Sequence, residues 1–408
     1  MPTVVLLGTL DTKGPEYNYL KRALQAAGCA TLLIDAGIIG PPGAVPDIAS
    51  AEVAQAAGAD VAALAAAGDR GAAVQAMAAG AAAIVQRLFA QGRLHGIITI
   101  GGSGNASIGA QAMQALPIGV PKLIVSTMAS GDTRPYVGAS DITMMYSVVD
   151  IAGINQISER ILQNAAGAIA GMAASYATFT PAASARLLIA ATMFGVTTPC
   201  VTHARQQLEA RGYEVLVFHA TGAGGRSMEA LVAGGFIAGV LDVTTTEWAD
   251  ELVGGVLSAG PERLNAAAGA GIPQVVSLGA LDMVNFGAFE SVPERFQGRT
   301  LYRHNATVTL MRTTPAECAE LGRIIAAKLN AAAGPTALFV PLRGISMIAV
   351  AGQPFHDPAA DQALIGSLKE HLSSAVEWHE LDTDINDPAF AEAMATRLDR
   401  MIKEGKTP

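Results

Sequence analysis

Residues 4–35 read VVLLGTLDTKGPEYNYLKRALQAAGCATLLID, and residues 187–219 read LLIAATMFGVTTPCVTHARQQLEARGYEVLVFH. Laid over one another with a one-residue insertion, they set Thr9 on Thr192, Gly28 on Gly212 and Asp35 on His219. Each opens on an aliphatic, β-branched run, passes a turn, continues in helical spacing and ends in a second such run, the pattern of a parallel strand-helix-strand unit. Further echoes follow: GVPKLIVS (Gly119 to Ser126) resembles GIPQVVS (Gly271 to Ser277), and GIITI (Gly96 to Ile100) resembles GVLDV (Gly239 to Val243). The chain therefore reads as α/β, with two Rossmann-like doubly wound subdomains of mainly parallel sheet related by internal duplication. Residues 1–180 form the first and 181–408 the second, with Pro181 marking the boundary.

Length agrees, since 408 residues exceed one ordinary core and suffice for two. Lys and Arg total 26 against 35 Asp and Glu, a formal net charge of −9 with no long run of either sign, which argues against nucleic acid or an anionic membrane as partner. The uncharged stretch from Ile161 onward is mostly Ala, Gly, Ser and Thr, too weakly apolar for a bilayer span. No basic, signal-like segment opens the sequence, and Cys29, Cys200 and Cys318 lie far apart. A reducing cytoplasm is the expected compartment.

Strands are expected at Thr3 to Leu7, Ala30 to Ile34, Ile97 to Ile100 and Leu123 to Val125, with a helical stretch over Ser147 to about Ser175 closing the first half. The second half repeats the alternation at Leu187 to Ala191, Glu214 to Phe218, Ile237 to Leu241, Gln274 to Val276, Thr307 to Leu310 and Ala337 to Val340. Small residues dominate the helices and suit close packing against the sheet or a second copy, so a homodimer is expected.

Candidate ligand groups collect in the loops that follow strands. Gly101, Gly102, Ser103, Gly104 and Asn105 lie between a strand and a helix pattern, where backbone amides and the helix dipole attract phosphate; a tight structural turn fits the same glycines. The spacing is neither GxxxxGK[ST] nor GxGxxG. The first loop, with Thr9, Asp11 and Lys13, shares the carboxyl-end rim, so Lys13 is a candidate phosphate partner and Asp11 a candidate magnesium ligand. Asp35 ends the second strand, where an acid meets a ribose hydroxyl, and Arg134 is a second candidate phosphate contact.

The second half differs at each place. It has no counterpart of Lys13, and Thr244 to Glu251 (TTTEWADE) replaces the GGSGN loop, so a second copy of the nucleotide site is not expected. His219, Gly222, Gly224, Gly225 and Arg226 instead suggest a cradle for a small anionic substrate. Asp282 and Glu247 are candidate catalytic acids or bases, with Asp242 and Asn285 nearby in topology. Cys200 and His203 sit one turn apart at a helix start, compatible with a nucleophile pair or an ordinary buried cysteine. The other histidines lack zinc-ligand spacing.

The segments GTLDTKG, GGSGN, PKLIVSTMASGDTRPYVGASDITMMYSVVDIAGIN, GVTTPC, VFHATGAGGRSMEAL, GVLDVTTTEWADELVGG, SAGPERL and GIPQVVSLGALDMVNFG span nearly the whole chain. Together they resemble the ATP-binding domain of the tomato mosaic virus resistance protein and its bacterial relatives. The resemblance implies two Rossmann-like subdomains, dimerisation, and binding of ATP with magnesium at the GTLDTKG and GGSGN loops. It also implies a TIM-barrel component, expected here as a separate partner protein. The leading expectation is a cytoplasmic magnesium-ATP-binding protein, with phosphoryl or nucleotidyl transfer to the anionic substrate, if it is an enzyme, across the cleft between the halves. The alternatives are a non-catalytic nucleotide-responsive module and an epimerase-like sugar-phosphate enzyme that works without ATP.

Overall fold

The computed structural model describes residues 1–180 and 186–405. The chain divides into two compact units, Met1–Ala182 and Ala183–Pro408. Pro181, read above as the boundary, lies outside the described residues.

In the first unit the strands are β1 (Thr3–Gly8), β2 (Ala30–Asp35), β3 (Gly96–Gly101), β4 (Lys122–Ser126) and β5 (Thr143–Tyr146), and all pair in parallel in the order β2-β1-β3-β4-β5. Its helices are α1 (Leu10–Ala26), α2 (Ser50–Ala56), α3 (Val61–Ala67), α4 (Arg70–Ala90), α5 (Ser103–Gln114), α6 (Arg134–Val137) and α7 (Gln156–Thr178). Alternate residues of β1 feed opposite faces of the sheet. Val5 and Leu7 join a core with Met77, Ile84 and Val85 of α4, and Val4 and Leu6 join one with Leu20 of α1 and Ile169 of α7. A strand buried on both sides must be apolar throughout, which is why VVLL reads as an unbroken run. Helix α4 is long and apolar enough to cross a bilayer, but Met77, Ala81, Ile84, Val85 and Leu88 pack it into this core.

The second unit repeats the plan. Strands β6 (Leu188–Met193), β7 (Glu214–His219), β8 (Ile237–Thr244) and β9 (Gln274–Gly279) are followed by β10 (Met283–Phe286), β11 (Leu301–Asn305), β12 (Val308–Arg312), β13 (Thr336–Pro341) and β14 (Glu377–Leu381). The helices are α8 (Thr198–Ala210), α9 (Ala223–Ala233), α10 (Glu247–Val253), α11 (Ala266–Ala270), α12 (Pro315–Asn330), α13 (Pro358–His371) and α14 (Pro388–Glu404). The parallel sheet runs β14-β13-β9-β8-β6-β7. Read from the other edge, β7-β6-β8-β9-β13 reproduces the first unit's order, with β14 added outside.

The duplication thus extends to topology, with one adjustment of register. Gly8 pairs with Asp35 at the end of β1, and Met193 with His219 at the end of β6, so Asp35 and His219 are equivalent as expected. The same pairing sets Thr9 on Phe194 rather than on Thr192. Gly28 (φ 82°) and Gly212 (φ 94°) both turn left-handed before the second strand, a backbone that favours glycine.

Three differences from expectation concern elements. The run at Thr307 to Leu310 belongs to an antiparallel sheet, β10-β12-β11, inserted after β9, and not to the parallel sheet. Strands β5, β10, β11 and β14 are not among the expected runs. Helix α7 starts only at Gln156, where Asn155 caps it through bonds to the Ile157 and Ser158 amides, so residues 147–155 are a loop.

Candidate functional site

In a 2-1-3-4-5 sheet the strand order reverses between β1 and β3, and ligands bind in the crevice at that point beyond the carboxyl ends of the strands. Here the crevice is opened by divergence of the two strands. Their pairing ends at Leu6 with Ile98, and beyond it side chains bridge them. Tyr17 accepts from the Ile100 amide at 3.0 Å and donates to the Leu7 carbonyl, and the Thr99 hydroxyl donates to that carbonyl at 2.8 Å. Tyr17 is fully buried, and desolvation pushes its phenol above the ordinary range, so it stays a neutral brace.

Two loops flank the opening and are tied together. Asn105 accepts from the Thr9 amide at 3.0 Å and donates to the Thr9 hydroxyl at 3.0 Å. Gly101 (φ 145°) cannot be replaced freely, since a Cβ there would lie 2.7 Å from Asn105 Nδ2. Asp35 is buried beneath, accepting from the Leu10 and Gly37 amides at 3.0 and 2.9 Å; burial raises its pKa while those bonds lower it.

Above these loops lies a cavity of about 690 Å³ lined by Thr9, Asp11, Lys13, Gly102, Ser103, Gly104 and Asn105. The structure thus gathers most of the expected nucleotide contacts in one place. The amino end of the 12-residue α5 opens into it with Ser103 and Gly104 as first residues. Asp11 accepts from the Ile39 amide at 2.8 Å through one oxygen, while the other, Oδ1, is buried with no hydrogen-bond partner among the described residues. Lys13 stands at a break in α1 (φ −128°), two residues before Pro15, and its ammonium donates to the Ile151 carbonyl.

Three expected contacts do not line the cavity, the first being Gly101, which packs against Asn105. Asp35 does not line the cavity; it is buried, and its Oδ1 anchors the loop as described. Arg134 is 90% exposed and held bidentately by Asp132 at 2.9 and 2.7 Å, away from the cavity lining. That pairing keeps the Asp132 carboxyl down at about 2.

The walls hold residues that sequence reading missed. Arg70, at the start of α4, has no hydrogen-bond or ion-pair partner among the described residues, and its Nη2 lies 3.6 Å from where a Cβ on Gly104 would stand. Its guanidinium therefore overhangs the amino end of α5. Beyond it the cavity is apolar, with Ile38, Leu64, Val74, Met77 and Ile108. A lone arginine in an Ala-rich helical stretch carries no motif; the one available signal was Gly68-Asp69, a helix stop followed by a cap.

The second unit closes the corresponding place from within. Arg263 is 1% exposed and forks onto Asp242 at 2.5 and 2.7 Å, meets Glu247 at 2.7 Å and reaches Glu229 at 3.2 Å. Burial opposes its charge, but the three carboxylates hold the guanidinium's pKa above the ordinary arginine value. Thr192 adds a bond to Asp242 at 2.7 Å and receives the Thr244 amide at 2.9 Å, so hydroxyls fill the gap between β6 and β8.

The glycine cradle at Gly222 to Gly225 binds an anion, but an internal one. Glu247 Oε1 accepts from the Gly222 and Gly225 amides at 2.7 and 3.1 Å. A Cβ on Gly225 would come within 2.2 Å of Glu247 Oε2, and one on Gly224 within 1.9 Å of the His219 carbonyl. The expected substrate cradle is therefore filled by Glu247, and Glu247 is engaged through both oxygens rather than poised as a base. Arg226 donates outward to the Ser258 carbonyl at 2.9 Å, and the His219 ring packs edge-on to Phe194 at 5.4 Å.

Asp282 lies fully buried after β9 and takes the Ser346 hydroxyl at 2.8 Å, and its Oδ1 has no partner among the described residues. Burial pushes its carboxyl up to about 6, against the lowering effect of Arg312. Among the described residues, Asp282 and Glu247 share no hydrogen-bond partner. Asn285 instead serves Asp250, donating from its amide at 2.9 Å and its side chain at 2.6 Å, and burial pushes Asp250 up to about 7. Cys200 is buried and its thiol is pushed up to about 12 by burial and then by Asp384, which removes it as a nucleophile.

Comparison with known proteins fits this two-unit plan. The N-terminal domain of the uncharacterised protein family UPF0261 matches residues 2–178, and that family's C-terminal domain matches residues 186–402. The chain belongs to this family. A UPF0261 protein of Clostridium tetani is 54% identical over 402 residues, covering 98% of this chain and 99% of that protein. The ToMV resistance protein Tm-1(GCR237) of Solanum lycopersicum is 46% identical over 306 residues, covering 74% of this chain but 41% of that protein. Among solved structures, the Streptomyces glycosyltransferase SsfS6 aligns at 13% identity over 68% of this chain and 82% of its own, with a TM-score of 0.19, a likeness too loose to bear on function.

Proposed function

We propose that the first unit of this UPF0261 protein is a nucleotide-binding domain whose ligand is magnesium-ATP. The observation that carries the reading is the coincidence, in one cavity at the strand-order reversal, of the α5 amino end, Lys13, Arg70 and an apolar recess. Amides of Gly102 to Asn105 would receive phosphate oxygens at the positive end of α5, with Lys13 and Arg70 as cations beside them. The unpartnered Oδ1 of Asp11 suits one carboxylate contact to magnesium, which is bound through one or two carboxylates plus the nucleotide's phosphates. When bound, the ion neutralises phosphate charge that the acidic Asp11, Asp69 and Asp150 on the cavity wall would otherwise repel.

The engagement of Glu247 and the enclosure of Asp282 favour a nucleotide-responsive binding domain over a transferase using either as base. Dimerisation and a separate barrel partner belong to the same proposal and are supported by the family resemblance alone. Calorimetric titration of the full chain with magnesium-ATP tests the reading. Saturable binding in the micromolar range at one site per chain is expected, and heat no greater than dilution would refute it.

A further inference from the structure

The cavity separates its chemistry along its length, and the separation bears on which nucleotides it accepts. Its charged and hydroxyl groups, Thr9, Asp11, Thr12, Lys13, Asp69, Arg70 and Ser103, gather around the amino end of α5 and the start of α4, and Asp150 lies next to Ile151, whose carbonyl Lys13 binds. Val74 and Met77 lie four and seven residues along α4 from Arg70, roughly 6 and 10 Å at the rise of a helix. Ile108 lies one turn along α5 from Gly104, and Leu64 faces the same recess from α3. A base seated here meets aliphatic side chains.

Most backbone groups of the helical recess residues are already bonded. Val74, Met77 and Ile108 lie inside α4 and α5, whose amides and carbonyls bond along the helix, and the Leu64 amide donates to the Asp60 carbonyl at 3.0 Å. The Ile39 amide is bound by Asp11, and Asp69 caps α4 at the Ala72 amide. Asp35, where a ribose reader would stand, is buried outside the cavity lining, with Oδ1 on the Leu10 and Gly37 amides. Discrimination between bases needs a buried polar group left unpaired by the wrong one.

Resting on the nucleotide reading above, we infer that this site recognises the phosphate chain and accepts the base by apolar contact alone, so that it binds purine nucleoside triphosphates without distinguishing adenine from guanine or ribose from deoxyribose. The class of ligand is therefore the nucleoside triphosphate pool, and the response follows phosphorylation state rather than one nucleotide.

The test titrates the full chain with the magnesium complexes of ATP, GTP, 2′-deoxy-ATP and inorganic tripolyphosphate. The three nucleotides are expected to bind within about fivefold of one another, where a site that hydrogen-bonds the base would separate them by about a hundredfold or more. Tripolyphosphate is expected to bind at least about tenfold more weakly, because it leaves the apolar recess unfilled. Val74→Trp, which fills the recess at a half-buried position, is expected to weaken all three nucleotides while leaving tripolyphosphate unchanged. A strong preference for ATP over GTP overturns the inference and leaves the nucleotide site standing. Tripolyphosphate binding equal to ATP also overturns it, by showing that the recess is not used. Failure of all four to bind overturns the site reading and this inference together.

Discussion

Replacing Arg263 by methionine removes the single cation that three carboxylates share. Arg263 is 1% exposed, and the side chains of Asp242 and Glu247 are 1% and 0% exposed, so neither can turn to water. Methionine matches the aliphatic stem but leaves Asp242 without both Nη contacts and Glu247 without Nε. Removing one partner of such a buried pair costs about 3–5 kcal/mol, chiefly because the remaining charge is stranded. For a unit of this size that corresponds to a fall in melting temperature of roughly 6–20 °C. Both tryptophans, Trp248 and Trp378, belong to the second unit, so their fluorescence during urea or thermal unfolding reports on that unit. A loss under about 1 kcal/mol would refute the view that Arg263 neutralises the closed crevice.

Other outcomes follow from the same geometry. Asp250, pushed up to about 7, keeps its proton in the folded protein where the unfolded chain has lost it, so its contribution falls as pH rises from about 4 to about 7. Asp250→Asn should flatten that slope in denaturation curves, because the unpartnered Asn285 Oδ1 can accept the new amide after a side-chain flip. Arg70→Ala should weaken magnesium-ATP by about 10- to 100-fold with no loss of melting temperature, the worth of a charge-assisted bond at an exposed position. Gly104→Val should fold normally, since a Cβ there meets only Arg70 at 3.6 Å, yet block nucleotide in the same titration. Gly225→Ala should lower the melting temperature of the second unit, since its Cβ would lie 2.2 Å from Glu247.

The repeat was legible because parallel strands buried on both faces leave unbroken aliphatic runs, and because Gly28 and Gly212 mark the same left-handed turn. The loops around Thr9 and Gly101 were legible too, since glycine after a strand and before a helix has few structural reasons. What escaped notice depends on contacts distant in sequence. The antiparallel insertion β10-β12-β11 has the same residue types as parallel strands, and pairing direction leaves no mark in one short run. Glycines at Gly222 to Gly225 announced an anion, but not that Glu247, 22 to 25 residues on, supplies it. Arg70 gained meaning only when α4 was laid across the amino end of α5.

Hydrogen-deuterium exchange with and without magnesium-ATP tests most directly the claim that the first unit carries the nucleotide while the second keeps its cradle closed. Protection is expected in peptides covering Thr9 to Lys13, Gly68 to Met77 and Gly101 to Ile108, with no change over Ala220 to Ser227. Protection at Ala220 to Ser227, with none at Gly101 to Ile108, would contradict it.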